Sequence, residues 1–136
     1  IPWVHGGIVG ASGQTFTIVP GQTGCFRCLL PDPPPTEQMQ TCDSAGVLGP
    51  AVGIVANWQA MEALKLITSG RSIIDGDLRV FDLWQGDVRR LRLKRRKISE
   101  ADTGCPACVL AQYEFLQGKR QSQAKILCGR NSVQIV

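Results

Sequence analysis

Four cysteines in two matching pairs are the residues of this chain best suited to chemistry. Cys25 and Cys28 stand in Gly24-Cys25-Phe26-Arg27-Cys28, and Cys105 and Cys108 in Gly104-Cys105-Pro106-Ala107-Cys108. Each is a C-x-x-C knuckle, with glycine or proline to make a tight turn. Two knuckles supply four thiolates, the ligand set of a closed, tetrahedral structural zinc site. Four sulfurs leave no coordination position for water or substrate, so such a metal is a staple and not a catalyst. The bland account is four ordinary buried thiols or a disulfide pair. A thioredoxin-like redox motif does not explain why there are two knuckles. The knuckles are much further apart than in a zinc ribbon, so the chain between them must fold and bring its ends together. A metal cross-link offsets part of that loop-closure cost.

The elements that must do this can be read in order. Trp3 to Gly10 reads as a glycine-softened buried strand, Ala11-Ser12-Gly13 as a turn, and Gln14 to Val19 as its hairpin partner. No G-x-G-x-x-G is present, and the glycines lead into Pro20-Gly21 instead of a helix, so a phosphate loop is not expected here. His5 has no second histidine or acidic neighbour and reads as a packed strand residue. After the first knuckle, Pro33-Pro34-Pro35 excludes helix and central strand, and an extended crossover loop is expected as far as Cys42. Pro50 suits the first turn of a helix over 51–68, whose apolar stripe is Val52, Val55, Trp58, Met61, Leu64 and Ile67. Glu62 and Lys65 lie toward its other side as an ion pair, and Gly70 serves as a left-handed cap.

Leu78 to Trp84 and Val88 to Lys94 read as a second hairpin, turned at Gln85-Gly86-Asp87. Arg89, Arg90, Arg92, Lys94, Arg95, Arg96 and Lys97 make a basic stretch. A nucleic-acid surface is the tempting interpretation, but interleaved aromatics and a groove-reading helix are missing. A charged edge strand that resists aggregation, or contact with an acidic protein, accounts for it as well. Leu110 to Leu116 reads as a short helix, Gln117 to Lys125 as polar and flexible, and Ile126 to Val136 as strand-like, with Cys128 a bystander.

Composition bounds the class. At 136 residues with 43% apolar content and a net charge of +4, the chain is one domain or part of a larger one, and its charge selects no partner class. Thiolate ligands require a reducing compartment, and neither a secretory leader nor a membrane-length apolar stretch is present, so a soluble, cytoplasmic protein is expected. The chain opens on Ile1-Pro2-Trp3 without a methionine, which reads as a trimmed fragment.

Several of these pieces occur together in one order: Gly24-Cys-x-x-Cys28-Leu29, Thr41-Cys42-Asp-Ser-Ala-Gly46-Val47-Leu48-Gly49-Pro50, Gln59-Ala60-Met61-Glu62-Ala63-Leu64-Lys65, Phe81-Asp82, and Cys105-Pro-x-Cys108. As a set they resemble the C-terminal half of the ThiF/MoeB/HesA family, bacterial relatives of ubiquitin-activating enzymes. The likeness covers roughly residues 2–110; the tail around Cys128-Gly129-Arg130 resembles an extension of some ThiF-like members.

The resemblance implies an α/β fold: the C-terminal half of a Rossmann-like adenylation domain, with a mixed sheet of four or five strands, one long helix and a four-cysteine zinc site. It divides the chain at residue 110, leaving 111–136 as an extension of unassigned role. It implies a parent enzyme that uses Mg-ATP to adenylate the C-terminal Gly-Gly carboxylate of a ubiquitin-like sulfur carrier of the ThiS or MoaD type. Sulfur transfer then serves thiamin, molybdopterin or related synthesis. A homodimer and a sulfur donor are implied as partners. The zinc ligands map onto Cys25, Cys28, Cys105 and Cys108, and the crossover-loop cysteine maps onto Cys42, a nucleophile in some members and dispensable in others. A mobile loop shortly before a helix start, where the dipole can lower a thiol pKa, suits such a nucleophile, and the same position suits an ordinary small residue ahead of a helix. The ATP-binding half has no counterpart in this chain, so the isolated polypeptide is expected not to adenylate. The rival from another class is a non-enzymatic zinc module that binds protein or nucleic acid through Arg89 to Lys97.

Overall fold

The computed structural model describes residues 1–34, 40, 42–99, 103–120, 125–126 and 133–134. Its centre is a four-stranded sheet in the order β1 (Trp3–Val9), β2 (Ser12–Ile18), β3 (Leu78–Asp82), β4 (Asp87–Leu91). Every pair is antiparallel, which corrects the expected mixed sheet. Tight hairpins join β1 to β2 and β3 to β4, and a tight hairpin can only reverse the chain. The parallel contact among the described residues is an isolated bridge, Gly10 to Val47. The first turn also differs from the expected one. Val9 pairs with Ser12, so Gly10-Ala11 is the two-residue turn, and Gly10 takes the positive φ (61°) that such a turn requires. Ser12 and Gly13 already belong to β2.

The sheet has two covered faces. Helix α3 (Gly49–Thr68), with Pro50 in its first turn, packs on one of them. There Gly13 faces Val55, and Glu62 accepts a hydrogen bond from the Thr17 hydroxyl at 3.2 Å. On the other face Phe16, Ile18 and Leu78 form a core with Cys25, Phe26, Leu29, Val80 and Leu93. The period-2 alternation of β2 thus gives the threonines to the helix side and the larger apolar residues to the knuckle side. His5 joins the second face, its ring 5.2 Å from Phe16 and 5.0 Å from Phe26.

The stripe on α3 is only partly a core stripe. Ala51, Val55 and Glu62 are its buried residues, and Trp58 is half-buried with its ring 5.3 Å from that of Phe81. Val52, Met61, Leu64 and Ile67 are exposed, Ile67 to 80%. The helix is apolar round too wide an arc for periodicity to choose the face. The sheet chooses it: glycines at Gly6 and Gly13 admit Gln59 and Val55, and Thr17 offers a donor to Glu62. Glu62 therefore faces the sheet, not the opposite side, and keeps Lys65 as its partner at 2.6 Å. The helix ends at Ser69, followed by Gly70 with φ 77° and ψ −172°, a glycine conformation outside the left-handed helical region.

The remaining segments are short. Helix α1 (Phe26–Leu29) closes the first knuckle, and α2 (Cys42–Ala45) precedes α3. A 3-10 turn at Arg71–Ile73 leads toward β3, and β4 ends at Leu91 instead of Lys94. Residues 110 and 114–116 lie in turns and 111–113 have no regular structure, so the expected helix is not formed, and Ala111 sits at φ 54°. A residue in that region of φ interrupts a right-handed helix. Near the end, β5 (Lys125–Ile126) pairs antiparallel with β6 (Val133–Gln134). Residues 35–39 and Thr41 of the expected crossover loop, residues 121–124 of the expected polar segment, and Cys128 lie outside the described residues.

Candidate metal centre

Each knuckle is built by its own local hydrogen bonds. Cys25 is extended (φ −101°, ψ 178°), after which the chain turns into α1 and its carbonyl accepts from the amides of Cys28 (2.9 Å) and Leu29 (3.3 Å). The Cys105 carbonyl likewise accepts from Val109 and Leu110, both at 3.1 Å. The glycine ahead of each knuckle is there for space. A Cβ on Gly24 would meet Leu93 Cγ at 3.0 Å and Lys94 O at 3.3 Å, and one on Gly104 (φ 87°) would meet Ile98 Cγ1 at 3.0 Å. The chain from Leu93 to Ile98 is therefore wedged against both knuckles.

The fold brings all four sulfurs together, within 4.8 Å of one another. Cys25 Sγ lies 3.9 Å from Cys28 Sγ and 3.6 Å from Cys105 Sγ, and Cys28 Sγ lies 3.6 Å from Cys108 Sγ. Four thiolates about 2.3 Å from one zinc at tetrahedral angles have sulfur–sulfur edges of about 3.8 Å. A disulfide needs about 2.05 Å, and all four cysteines are free. The donor set and its spacing fit a tetrahedral metal ion.

The electrostatics of the group are uneven. Burial pushes the Cys25 thiol up to about 12, helped by its cysteine neighbours Cys105, Cys108 and Cys28 and opposed by a backbone hydrogen bond at Cys28. Burial acts in the same sense on Cys105, but the amides of Cys108 and Ala107, with hydrogen bonds from Cys25 and Cys108, bring it down to about 7. Burial raises Cys108 as well, against the opposing pull of the Arg95 guanidinium. Four crowded thiols without a cation cannot all ionise; a divalent metal removes that conflict by replacing the protons.

Arg95 is the residue of this centre that sequence reasoning left in a solvated basic stretch. Its Nη2 donates to Cys108 O at 2.8 Å and its Nη1 to Gly21 O at 3.1 Å, tying the second knuckle to the turn ahead of the first. The amide of Cys105 in turn donates to Arg96 O at 3.1 Å. Other cations of the stretch are also committed: Arg89 to Asp87 at 2.6 Å, and Arg90 to Asp77 at 2.7 Å and Asp75 at 3.2 Å. The sequence signal for this role is the stretch's position between β4 and the second knuckle, not its charge.

Cys42 begins α2, whose four residues precede α3, so it does not sit at the start of the long helix; its side chain lies outside the described residues. The end of the crossover is anchored, with the Gly10 amide donating to Gly46 O (2.9 Å) and the Leu48 amide to Gly10 O (3.0 Å). His5 is packed among aromatic rings as expected, and its buried Nε2 has no hydrogen-bond partner. No helix among the described residues is long and apolar enough to cross a membrane.

An antiparallel sheet carrying one long helix on one face and a paired-knuckle thiol centre at the other defines an α/β unit with a structural metal-type site. Its sequence matches the profile of the ThiF family over residues 1–107, and the chain belongs to that family. It is 44% identical over 135 residues to the sulfur carrier protein ThiS adenylyltransferase of Bacillus subtilis, covering 99% of this chain and 38% of that protein. The Escherichia coli protein of the same name is 40% identical over 108 residues, covering 79% of this chain and 39% of the relative. The adenylyltransferase and sulfurtransferase MOCS3 of Culex quinquefasciatus is 38% identical over 108 residues, 79% of this chain and 23% of the relative. The chain thus spans less than two fifths of the length of these curated relatives.

Proposed function

We propose that this chain is the zinc-stapled, carrier-binding part of an ATP-dependent adenylyltransferase. The whole enzyme activates the C-terminal Gly-Gly carboxylate of a ubiquitin-like sulfur carrier of the ThiS or MoaD type for sulfur transfer, in thiamin, molybdopterin or related synthesis. The observation that carries this reading is the similarity to ThiS adenylyltransferase along 99% of the chain. Zinc is the ion that four thiolates at these distances suit best, held by Cys25, Cys28, Cys105 and Cys108. It closes the fold and takes no part in the reaction.

ATP and magnesium belong to the whole enzyme. This chain has no G-x-G-x-x-G turn leading into a helix, so no step of adenylation is assigned to its residues. Cys42 is the candidate thiol for covalent capture of the activated carrier. Residues 1–110 form the family unit and 111–136 an extension of it. The uncovered apolar residues Val52, Met61, Leu64 and Ile67 on α3 support a homodimer or contact with the rest of the enzyme. Four free thiols suit a reducing compartment such as the cytoplasm.

The test is titration of the purified zinc-loaded chain with a ThiS-type carrier ending in Gly-Gly, alongside an ATP–pyrophosphate exchange assay. Saturable carrier binding without exchange is the expected result. Absence of carrier binding, combined with steeply salt-dependent binding to nucleic acid, would overturn the proposal in favour of a non-enzymatic zinc module.

A further inference from the structure

The two knuckles meet a second time, away from the sulfurs. Arg27, inside the first knuckle, lies with its guanidinium carbon 5.5 Å from the centre of the Phe115 ring, and its Nη2 is 3.5 Å from Glu114 Oε2. Arg120 lies over the same ring, also at 5.5 Å. Its Nη2 pairs with Asp32 Oδ1 at 2.8 Å and its Nη1 with Glu114 Oε2 at 3.6 Å. Asp32 faces Arg27 Nη1 as well, at 3.8 Å. Two guanidinium groups thus share one aromatic ring, and two carboxylates between them offset their mutual repulsion.

The local backbone produces this arrangement. The amides of Gln117 and Lys119 donate to Tyr113 O and Glu114 O, both at 2.9 Å, and Gly118 takes φ 67°. The chain reverses there, which returns Arg120 over Phe115. Phe115 and Glu114 follow the second knuckle closely in sequence, while Arg27 and Asp32 lie in and just after the first. The contact therefore joins the same two chain segments that the thiol centre joins, and it needs no metal.

We propose that Arg27, Glu114, Phe115 and Arg120 form a metal-independent clasp that positions the two knuckles. It holds the thiols at ligating distance before the metal binds and slows its loss afterwards. These are positioning residues, and the proposal rests on the reading of the centre as a zinc site. Exposed ion pairs and cation–π contacts are individually weak, so removing one member should speed zinc release about three- to tenfold.

The experiment mixes the zinc-loaded 136-residue chain with excess chromophoric chelator and follows the release rate. Arg120→Ala and Phe115→Ala should accelerate release, while Phe115→Trp, which keeps an aromatic face, should stay near the unsubstituted rate. Arg120 is a surface residue, so its removal leaves the core intact. Raising salt from about 50 to 500 mM should speed release from the unsubstituted chain more than from Arg120→Ala, in which only the longer Arg27 pairs remain to be screened. A purely structural role would move the melting temperature without this salt signature. Equal release rates in all variants, with zinc bound in the unsubstituted chain, would overturn the clasp alone. An unsubstituted chain that binds no zinc would overturn both the clasp and the zinc reading.

Discussion

Breaking the four-thiol centre should cost this chain about as much stability as cutting a long covalent cross-link. A metal bound to Cys28 and Cys105 closes the whole stretch that contains the crossover, α3 and both strands of the second hairpin. For a loop on the order of 80 residues, chain-entropy arithmetic gives about 4.5 kcal/mol of stabilisation at 25 °C. That is a large share of the 5–15 kcal/mol roughly typical of a whole domain. Unfolding entropy of about 2.1 cal/mol/K per residue, over 136 residues, converts it into a fall of about 15 °C in melting temperature. The perturbation is Cys105→Ser, at a residue with 0% exposure. Circular dichroism melts of the zinc-loaded chain, the same chain with chelator, and Cys105→Ser make the comparison. The last two should converge within a few degrees, both well below the first, since each lacks the cross-link. A chelator-treated chain that melts within about 3 °C of the zinc-loaded one would refute the reasoning.

Two further outcomes follow from the packing. Gly13→Ala would place a Cβ 2.7 Å from Val55 Cγ2, and Val55 is buried on α3, so a loss of about 1–3 kcal/mol is expected in urea unfolding. Adding Val55→Ala should return part of that loss, and strictly additive costs would contradict the contact. Burial lowers the pKa of His5 from its ordinary 6.5, so the unfolded chain binds more protons than the folded one below that value. His5 therefore contributes a loss of stability as pH falls from 6.5 through the folded pKa. His5→Phe should flatten the stability profile between about pH 7 and 5, and an unchanged slope would contradict the burial effect.

The parts of the fold legible in the sequence were those with short-range causes. Gly-rich β-branched alternation marked the first hairpin, Pro50 and the apolar spacing marked α3, and Gly86 marked the second turn, here at φ 73°. The errors arose where two local signals competed or a partner surface decided. Gly10 and Gly13 could each have supplied the turn, and the structure uses Gly13 instead to let the helix approach. Residues 110–116 carry helix-compatible side chains, but the chain at Ala111 leaves the right-handed region. The apolar arc of α3 is wider than the face it buries, and Glu62 lies on that face because Thr17 and Lys65 give it partners.

The sequence by itself determined the thiol chemistry: two C-x-x-C turns fix pairs of sulfurs at a spacing that suits a metal ion, through local backbone geometry alone. It also carried the family, through an ordered set of short motifs along most of the chain. Tertiary structure decided that the pairs meet, with cross-knuckle sulfurs 3.6 Å apart, and that Arg95 ties the second knuckle to the turn ahead of the first. It also decided which face of α3 is buried. These outcomes depend on contacts between residues far apart in the chain. Spacing and propensity describe neighbours along the chain, whereas the positions of Arg27, Arg95 and Glu62 depend on what folds against them.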